Sequence, residues 1–170
     1  DAERGFESQD QRIFHIADRN RKGIVILVNK WDLLDKSTET AKKVEQEIKE
    51  KIAPFTNVPI VFVSALEKQR LLKGLEIAIQ VHKNRAQKIA TSVLNEIMLP
   101  LIDHIPPPAI KGKYIRIKYC TQLPTVTPTF VFFANLPQYI KEPYKRYLEN
   151  KLREHFDFSG VPLQIYFRKK

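Results

Sequence analysis

The stretch Val25–Asp35, VILVNKWDLLD, sets a run of branched apolar residues directly against Asn29, Lys30 and Asp32. The apolar run from Ile24 to Val28 has the length of a strand buried on both faces. A second such run, PIVFV at 59–63, follows it. Between them, Ala41, Val44, Ile48 and Ile52 recur at helical spacing among Lys and Glu over 38–52, and Pro54 follows as a stop. Helical patterns also flank the pair. Ile13, Phe14 and Ala17 lie on one side of 11–20, and Leu71, Leu72, Leu75, Ile79 and Val81 are the apolar positions of 70–85. The order α-β-α-β-α, with strands apolar on both faces, predicts a parallel sheet covered by helices. In such sheets the functional residues gather in the loops beyond the carboxyl ends of the strands, where Asn29–Asp32 and Ser64–Leu66 fall.

The chain has 170 residues, 43% of them apolar, enough for one ordinary domain or two small ones with packed cores. No run approaches the roughly 18 apolar residues of a membrane span. The opening DAERGFESQDQRI has neither a basic n-region nor an apolar h-region, so no signal peptide is expected and the chain reads as soluble and cytoplasmic. The single cysteine, Cys120, cannot close an internal disulfide, and the four histidines are scattered, so no metal site is expected. The net charge of +10 is unevenly placed: residues 1–84 carry 15 Lys and Arg against 13 Asp and Glu, and residues 85–170 carry 14 against 6. The second half is therefore expected to meet a polyanion, either RNA or an anionic protein surface.

That second half has its own texture. Val93, Leu94, Ile97, Met98, Leu101, Ile102 and Ile105 form a helix face after a cap at Thr91 or Ser92, and Pro106–Pro108 ends it. Pro100 lies within the pattern and removes one helical hydrogen bond, which predicts a kink. Strands are expected at Tyr114–Cys120, Phe130–Ala134 and Leu163–Arg168, with a helix at Glu142–Phe156 that carries Pro143 in its first turn. The order is α-β-β-α-β. Alternation separates Ile115, Ile117, Leu163, Ile165 and Phe167 from Tyr114, Arg116, Lys118, Tyr166 and Arg168. One face packs on helices and the other is aromatic and basic. The handover between halves is expected within His82–Ile89, giving domains 1–84 and 85–170.

Guanine presents two donors on one edge, and a carboxylate accepts both at once; adenine has no such pair. Asp32 has the chemistry for that bidentate contact. The alkyl stem of Lys30 can lie along the purine plane, and Asn29 can brace the loop. Ser64 and Ala65 would bring a backbone N–H to guanine O6, and Leu66 completes that candidate loop. The other reading is ordinary turn chemistry, since Asn, Lys and Asp commonly follow strands. An ATP-using or metal enzyme has no supporting motif.

Together, VNKWDLLDK, VSALEKQRLLKGLEIAIQVHKNR, ATSVLNEIMLPLIDHIPPPAIKGKYIRIKYCTQ and EPYKRYLENKLREHFDFSGVPLQIYFRKK resemble the carboxyl-terminal portion of the EngA (Der) family of bacterial ribosome-assembly GTPases. That family has two tandem G domains followed by a KH-like domain. The resemblance implies the latter half of a P-loop-type G domain over 1–84 and an α+β KH-like domain over 85–170. It makes Asn29, Lys30 and Asp32 the NKxD guanine motif and Ser64, Ala65 and Leu66 the SAx motif. The ligands it implies are GTP or GDP with Mg²⁺ in an intact parent. Its implied partners are ribosomal RNA or the large ribosomal subunit, and the parent's first G domain. No G-x-x-x-x-G-K-[ST] run occurs here, and neither a switch threonine nor a D-x-x-G segment lies upstream of Asn29, so the chain is expected to be a fragment that neither holds nucleotide tightly nor hydrolyses GTP. No G-x-x-G clamp occurs in 85–170 either. RNA is then expected at Tyr114, Arg116, Lys118, Tyr166 and Arg168, or at the helix cations Lys145, Arg146 and Arg153. The alternatives are docking of these residues against a G domain, or plain solvation. A different class of function is a stand-alone RNA- or protein-binding module without nucleotide dependence.

Overall fold

The computed structural model describes residues 1–170 apart from 35, 36, 111 and 170; Asp35, the end of the opening stretch, lies outside the described residues. The chain packs as two compact units, Asp1–Arg85 with Phe158–Pro162, and Ala86–Asp157 with Leu163–Lys170.

The first unit holds α1 (Ser8–Arg19), β1 (Ile26–Val28), α2 (Thr38–Ile52), β2 (Ile60–Phe62) and most of α3 (Leu71–Ala86). Both early helices start where side chains satisfy orphan backbone donors. At α1, the Glu7 side chain accepts from the third helical N–H while the Glu7 N–H donates to Asp10 Oδ2 at 3.0 Å. At α2, the Thr40 N–H donates to Ser37 Oγ at 3.1 Å. The strands pair in parallel, with Ile26 opposite Ile60 and Val28 opposite Phe62. Phe14, Ile24, Val28, Trp31, Ile48, Ile52, Phe55 and Val58 form the core beneath them. Each such side chain stabilises by about 1.5–3 kcal/mol on burial.

Two helices turn differently from their apolar patterns. In α1 Phe14 is buried, but Ile13 is exposed. In α3 Leu72, Leu75 and Ile79 are exposed, and the buried residues are Gly74, Val81 and Asn84. The reason is what α3 meets. A Cβ at Gly74 would stand 3.1 Å from Leu27 Cδ2, so the helix approaches the β1 side chain closely at this point. One turn from its end, Asn84 Nδ2 donates to the Ser159 carbonyl at 3.2 Å and Asn84 Oδ1 accepts from Gln80 at 2.8 Å. The segment Phe158–Pro162 is fixed to the same unit by two further bonds: Ile24 N–H to the Gly160 carbonyl, and Gly160 N–H to the Asn57 carbonyl, both 2.8 Å. Leu71, Leu75 and Ala78 line an apolar groove of about 480 Å³ with Gly23, Val25 and Leu27.

The second unit runs α4 (Thr91–His104), β3 (Ile117–Leu123), β4 (Thr129–Ala134), α5 (Glu142–His155) and β5 (Gln164–Lys169), the expected α-β-β-α-β order. Its sheet has the order β3-β4-β5, antiparallel then parallel. The cap of α4 is Ala90 rather than Thr91 or Ser92; the Thr91 hydroxyl is 3.0 Å from that of Thr121 instead. The helix runs on through Pro100, and carbonyls at its end accept hydroxyl donors from α5: Tyr147 to Leu101 at 3.1 Å and Tyr144 to Ile105 at 2.7 Å. The outer edge of β3 is occupied. Asn95 Nδ2 donates to the Cys120 carbonyl and Asn95 Oδ1 accepts the Cys120 N–H, both at 2.8 Å. Gln122 likewise bonds the backbone of Ile89 and Gln87. An edge so engaged offers no template for another strand. Leu94, Met98, Cys120, Phe130, Phe132, Leu148 and Leu152 are all fully buried.

Among the described residues no helix is long and apolar enough to cross a membrane.

Candidate functional site

Beyond the carboxyl end of β1 the chain turns sharply. Lys30 takes the left-handed conformation at φ 63°, and a short 3-10 turn, Trp31–Leu33, follows. Trp31 anchors the turn: it is buried, its ring lies 4.2 Å from that of Phe62, and its N–H donates to the Val63 carbonyl at 3.1 Å. Asp32, next in the turn, is half-buried, with Oδ1 shielded from solvent. Asn29 sits at the junction. Its Oδ1 accepts the Ala65 N–H at 3.0 Å, and its carbonyl accepts the Ala2 N–H at 2.8 Å.

The second loop is equally constrained. Ser64 is buried, pairs with Gln69 through two backbone bonds, and accepts the Glu67 N–H on Oγ at 3.0 Å. Ala65 and Leu66 are exposed at the tip of this closed turn. One detail departs from expectation. The Ala65 N–H, read as a donor to guanine O6, is directed to Asn29 in this structure, which leaves the Leu66 N–H as the next donor along the loop. The structure also adds a residue with no sequence signal of its own. Asp1 Oδ2 lies 2.7 Å from Lys30 Nζ, and Asp1 Oδ1 accepts the Glu3 N–H at 3.0 Å. Both members of the pair are partly exposed, so it is worth no more than about 1 kcal/mol, but it fixes where the Lys30 stem runs.

The second candidate set divides in two. Tyr114, Arg116, Lys118, Tyr166 and Arg168 are all exposed, and Ile115, Ile117 and Ile165, which alternate with them, are buried. The Asn135 amide holds the first part of this set in line, bonding the Tyr114 carbonyl at 3.0 Å and the Arg116 N–H at 2.9 Å. Lys118 is the extra residue of a bulge, since the register skips from Ile117 to Tyr119. Among the described residues no ion pair involves Arg116, Lys118 or Arg168. The remaining candidates lie on α5. Lys145 pairs with Glu142 at 3.2 Å, and Arg153, its side chain 10% exposed, pairs with Glu149 at 2.9 Å; Arg146 is exposed. The sheet cations are thus available to a polyanion in a way that Arg153 is not. Sequence alternation missed Tyr119 and Phe133, whose rings stack at 4.4 Å with 16° between planes. Among the described residues no cluster of three or more His, Cys, Asp or Glu could hold a metal ion.

A parallel αβ unit with two strand-end loops tied to each other describes a nucleotide-binding domain, and the family models and curated relatives agree. The family model of the elongation factor Tu GTP binding domain matches residues 1–107. The model described as KH-domain-like of EngA bacterial GTPase enzymes, C-terminal, matches residues 88–168. The chain is 65% identical to GTPase Der of Flavobacterium johnsoniae and 60% identical to GTPase Der of Bacteroides fragilis, in each case over its whole length. It spans 39% of the length of each. A crystal structure of Era in complex with MgGDPNP and nucleotides 1506–1542 of 16S ribosomal RNA aligns with a TM-score of 0.41 at 16% identity, over 99% of this chain and 62% of that one. The chain belongs to the EngA (Der) family of GTP-binding proteins, and its residues correspond to the carboxyl-terminal part of that family.

Proposed function

We propose that this chain supplies the guanine-reading part of a GTP or GDP site in a bacterial cytoplasmic GTPase of ribosome biogenesis, acting at the large ribosomal subunit. We further propose that its KH-like unit meets ribosomal RNA. The observation that carries the first reading is the bond between Asn29 Oδ1 and the Ala65 N–H, which sets the two loops at one site. Asp32 accepts guanine N1–H and N2–H together, Lys30 lies along the base with its Nζ toward Asp1, and the Leu66 N–H donates to O6. These residues fit a purine base. They do not fit its phosphates or Mg²⁺, because the 170 residues contain no G-x-x-x-x-G-K-[ST] run. Hydrolysis, and contact with a first G domain, belong to the intact parent in this reading.

The test is Asp32→Asn in the intact parent. An amide cannot accept both guanine protons, so GDP affinity falls by about 10- to 100-fold, the value of a charge-assisted contact. Affinity for xanthosine diphosphate, which offers an acceptor where guanine has its amino group, rises. Unchanged preference for GDP overturns the assignment of Asp32.

A further inference from the structure

We infer that the sheet face carrying Tyr119, Phe133 and Arg168 is a stacking platform for the unpaired bases of single-stranded RNA. The inference rests on the RNA reading of the KH-like unit and deepens it by naming the site and the form of RNA. The register sets these residues in one row across three strands: Tyr119 lies opposite Phe133, and Phe133 opposite Arg168. The two rings are already stacked, and the register sets Arg168 beside Phe133 on the neighbouring strand. Both rings are half-buried, whereas Phe130 and Phe132, which alternate with Phe133 along β4, are fully buried. The core therefore uses the even-numbered phenylalanines and leaves Phe133 with accessible surface. Tyr166, on the same face one step along β5 from Arg168, is 46% exposed.

Charge and geometry select the occupant. Arg116 and Lys118 on the β3 side and Arg168 on the β5 side are unpaired with any carboxylate among the described residues, which suits a phosphate backbone. An aromatic pair beside them suits the flat faces of bases, and those faces are accessible only in a single strand. Duplex RNA offers phosphates but keeps its base faces stacked inside the helix.

The experiment is fluorescence anisotropy of the full 170-residue chain with a labelled single-stranded RNA of about 12 nucleotides, within the span of such sites, and with a duplex of the same length, across a salt series. Phe133→Leu and Tyr119→Leu keep apolar bulk on the sheet and remove the planar face; circular dichroism checks that they fold. The single strand is expected to bind more tightly than the duplex, and each leucine variant to weaken it by about 5- to 100-fold without changing the salt slope. Arg168→Gln is expected to lower that slope by about 1. Ultraviolet cross-linking of the unaltered chain, which needs no variant to fold, is expected to fall on Tyr119 or Phe133. RNA binding that the leucine variants leave intact, with cross-links confined to α5, overturns the platform and leaves the RNA reading standing. No binding even at low salt overturns both. Equal binding of polyglutamate, insensitive to the leucine changes, marks a general polyanion surface and overturns the platform.

Discussion

Asn29 Oδ1 accepts the Ala65 N–H at 3.0 Å across 36 residues of chain. The parallel ladder between β1 and β2 is only three residues long on each strand, so this side chain extends the pairing past the strand ends and sets one loop by the other. Asn29→Ala is expected to cost about 1 kcal/mol in urea unfolding of the chain, and to lower GDP affinity in the parent. Asn29→Asp keeps an acceptor at the same atom and is expected to retain most of the stability.

Gly160 sits at φ +72°, and a Cβ there would stand 2.6 Å from Val81 Cγ2 and 2.7 Å from the Ile24 carbonyl oxygen. Gly160→Ala should therefore destabilise by about 3 kcal/mol or more, combining overpacking with left-handed strain. Adding Val81→Ala relieves only the side-chain contact, because the other neighbour is backbone. Gly5, at φ +76°, has nothing within 4 Å of such a Cβ, so Gly5→Ala should cost only about 1–2 kcal/mol. Equal losses at the two positions, measured by thermal unfolding, would contradict this account.

Asn95 carries the edge of β3. Asn95→Ala leaves the Cys120 N–H and carbonyl without their partner and is expected to cost about 2–3 kcal/mol. Amide exchange at Cys120 should accelerate more than exchange at Phe132 in the central strand, as hydrogen-exchange mass spectrometry or NMR would detect.

Burial pushes the Cys120 thiol up to about 12, while an unfolded thiol titrates near about 8.5. The folded chain thus retains a proton that the unfolded chain releases. This contribution to stability is complete below about pH 8.5 and declines above it by about 1.4 kcal/mol per pH unit. Tyr144, raised by burial and then by the charges of Tyr147 and Asp103, acts in the same direction from about pH 10. Cys120→Ala should flatten the decline between pH 8.5 and pH 10 in urea melts, and the folded wild type should alkylate far more slowly at pH 8 than the unfolded chain.

Local pattern carried much of the fold. α2 was legible at Thr38–Ile52 because its apolar spacing and the stop at Pro54 agree with each other. The inner side of α3 was not, because it is made of Gly74 and Asn84, selected by what approaches them: a strand leucine and the backbone of Ser159. Periodicity finds apolar stripes, and α3 exposes three of its apolar residues. At the candidate site, Asp32 and Asn29 stand out by residue type and by position after a strand. The tie between Asn29 and Ala65 requires the strands to be laid side by side, and the partnership of Asp1 with Lys30 requires the chain to come back past Asn29. The Tyr119–Phe133 stack was hidden for another reason. The bulge at Lys118 shifts the alternation of β3 by one residue, so a strict two-residue period assigns Tyr119 to the wrong face.

The five residues Phe158–Pro162 belong to the first unit although the chain on either side of them belongs to the second. Phe158 and Val161 are fully buried there. A cut at Arg85 therefore yields no pair of self-sufficient modules: the leading piece loses a built-in plug, and the trailing piece carries two homeless apolar side chains into water. A boundary drawn there would part the first unit from five of its own residues, so the chain does not divide in sequence where it divides in space.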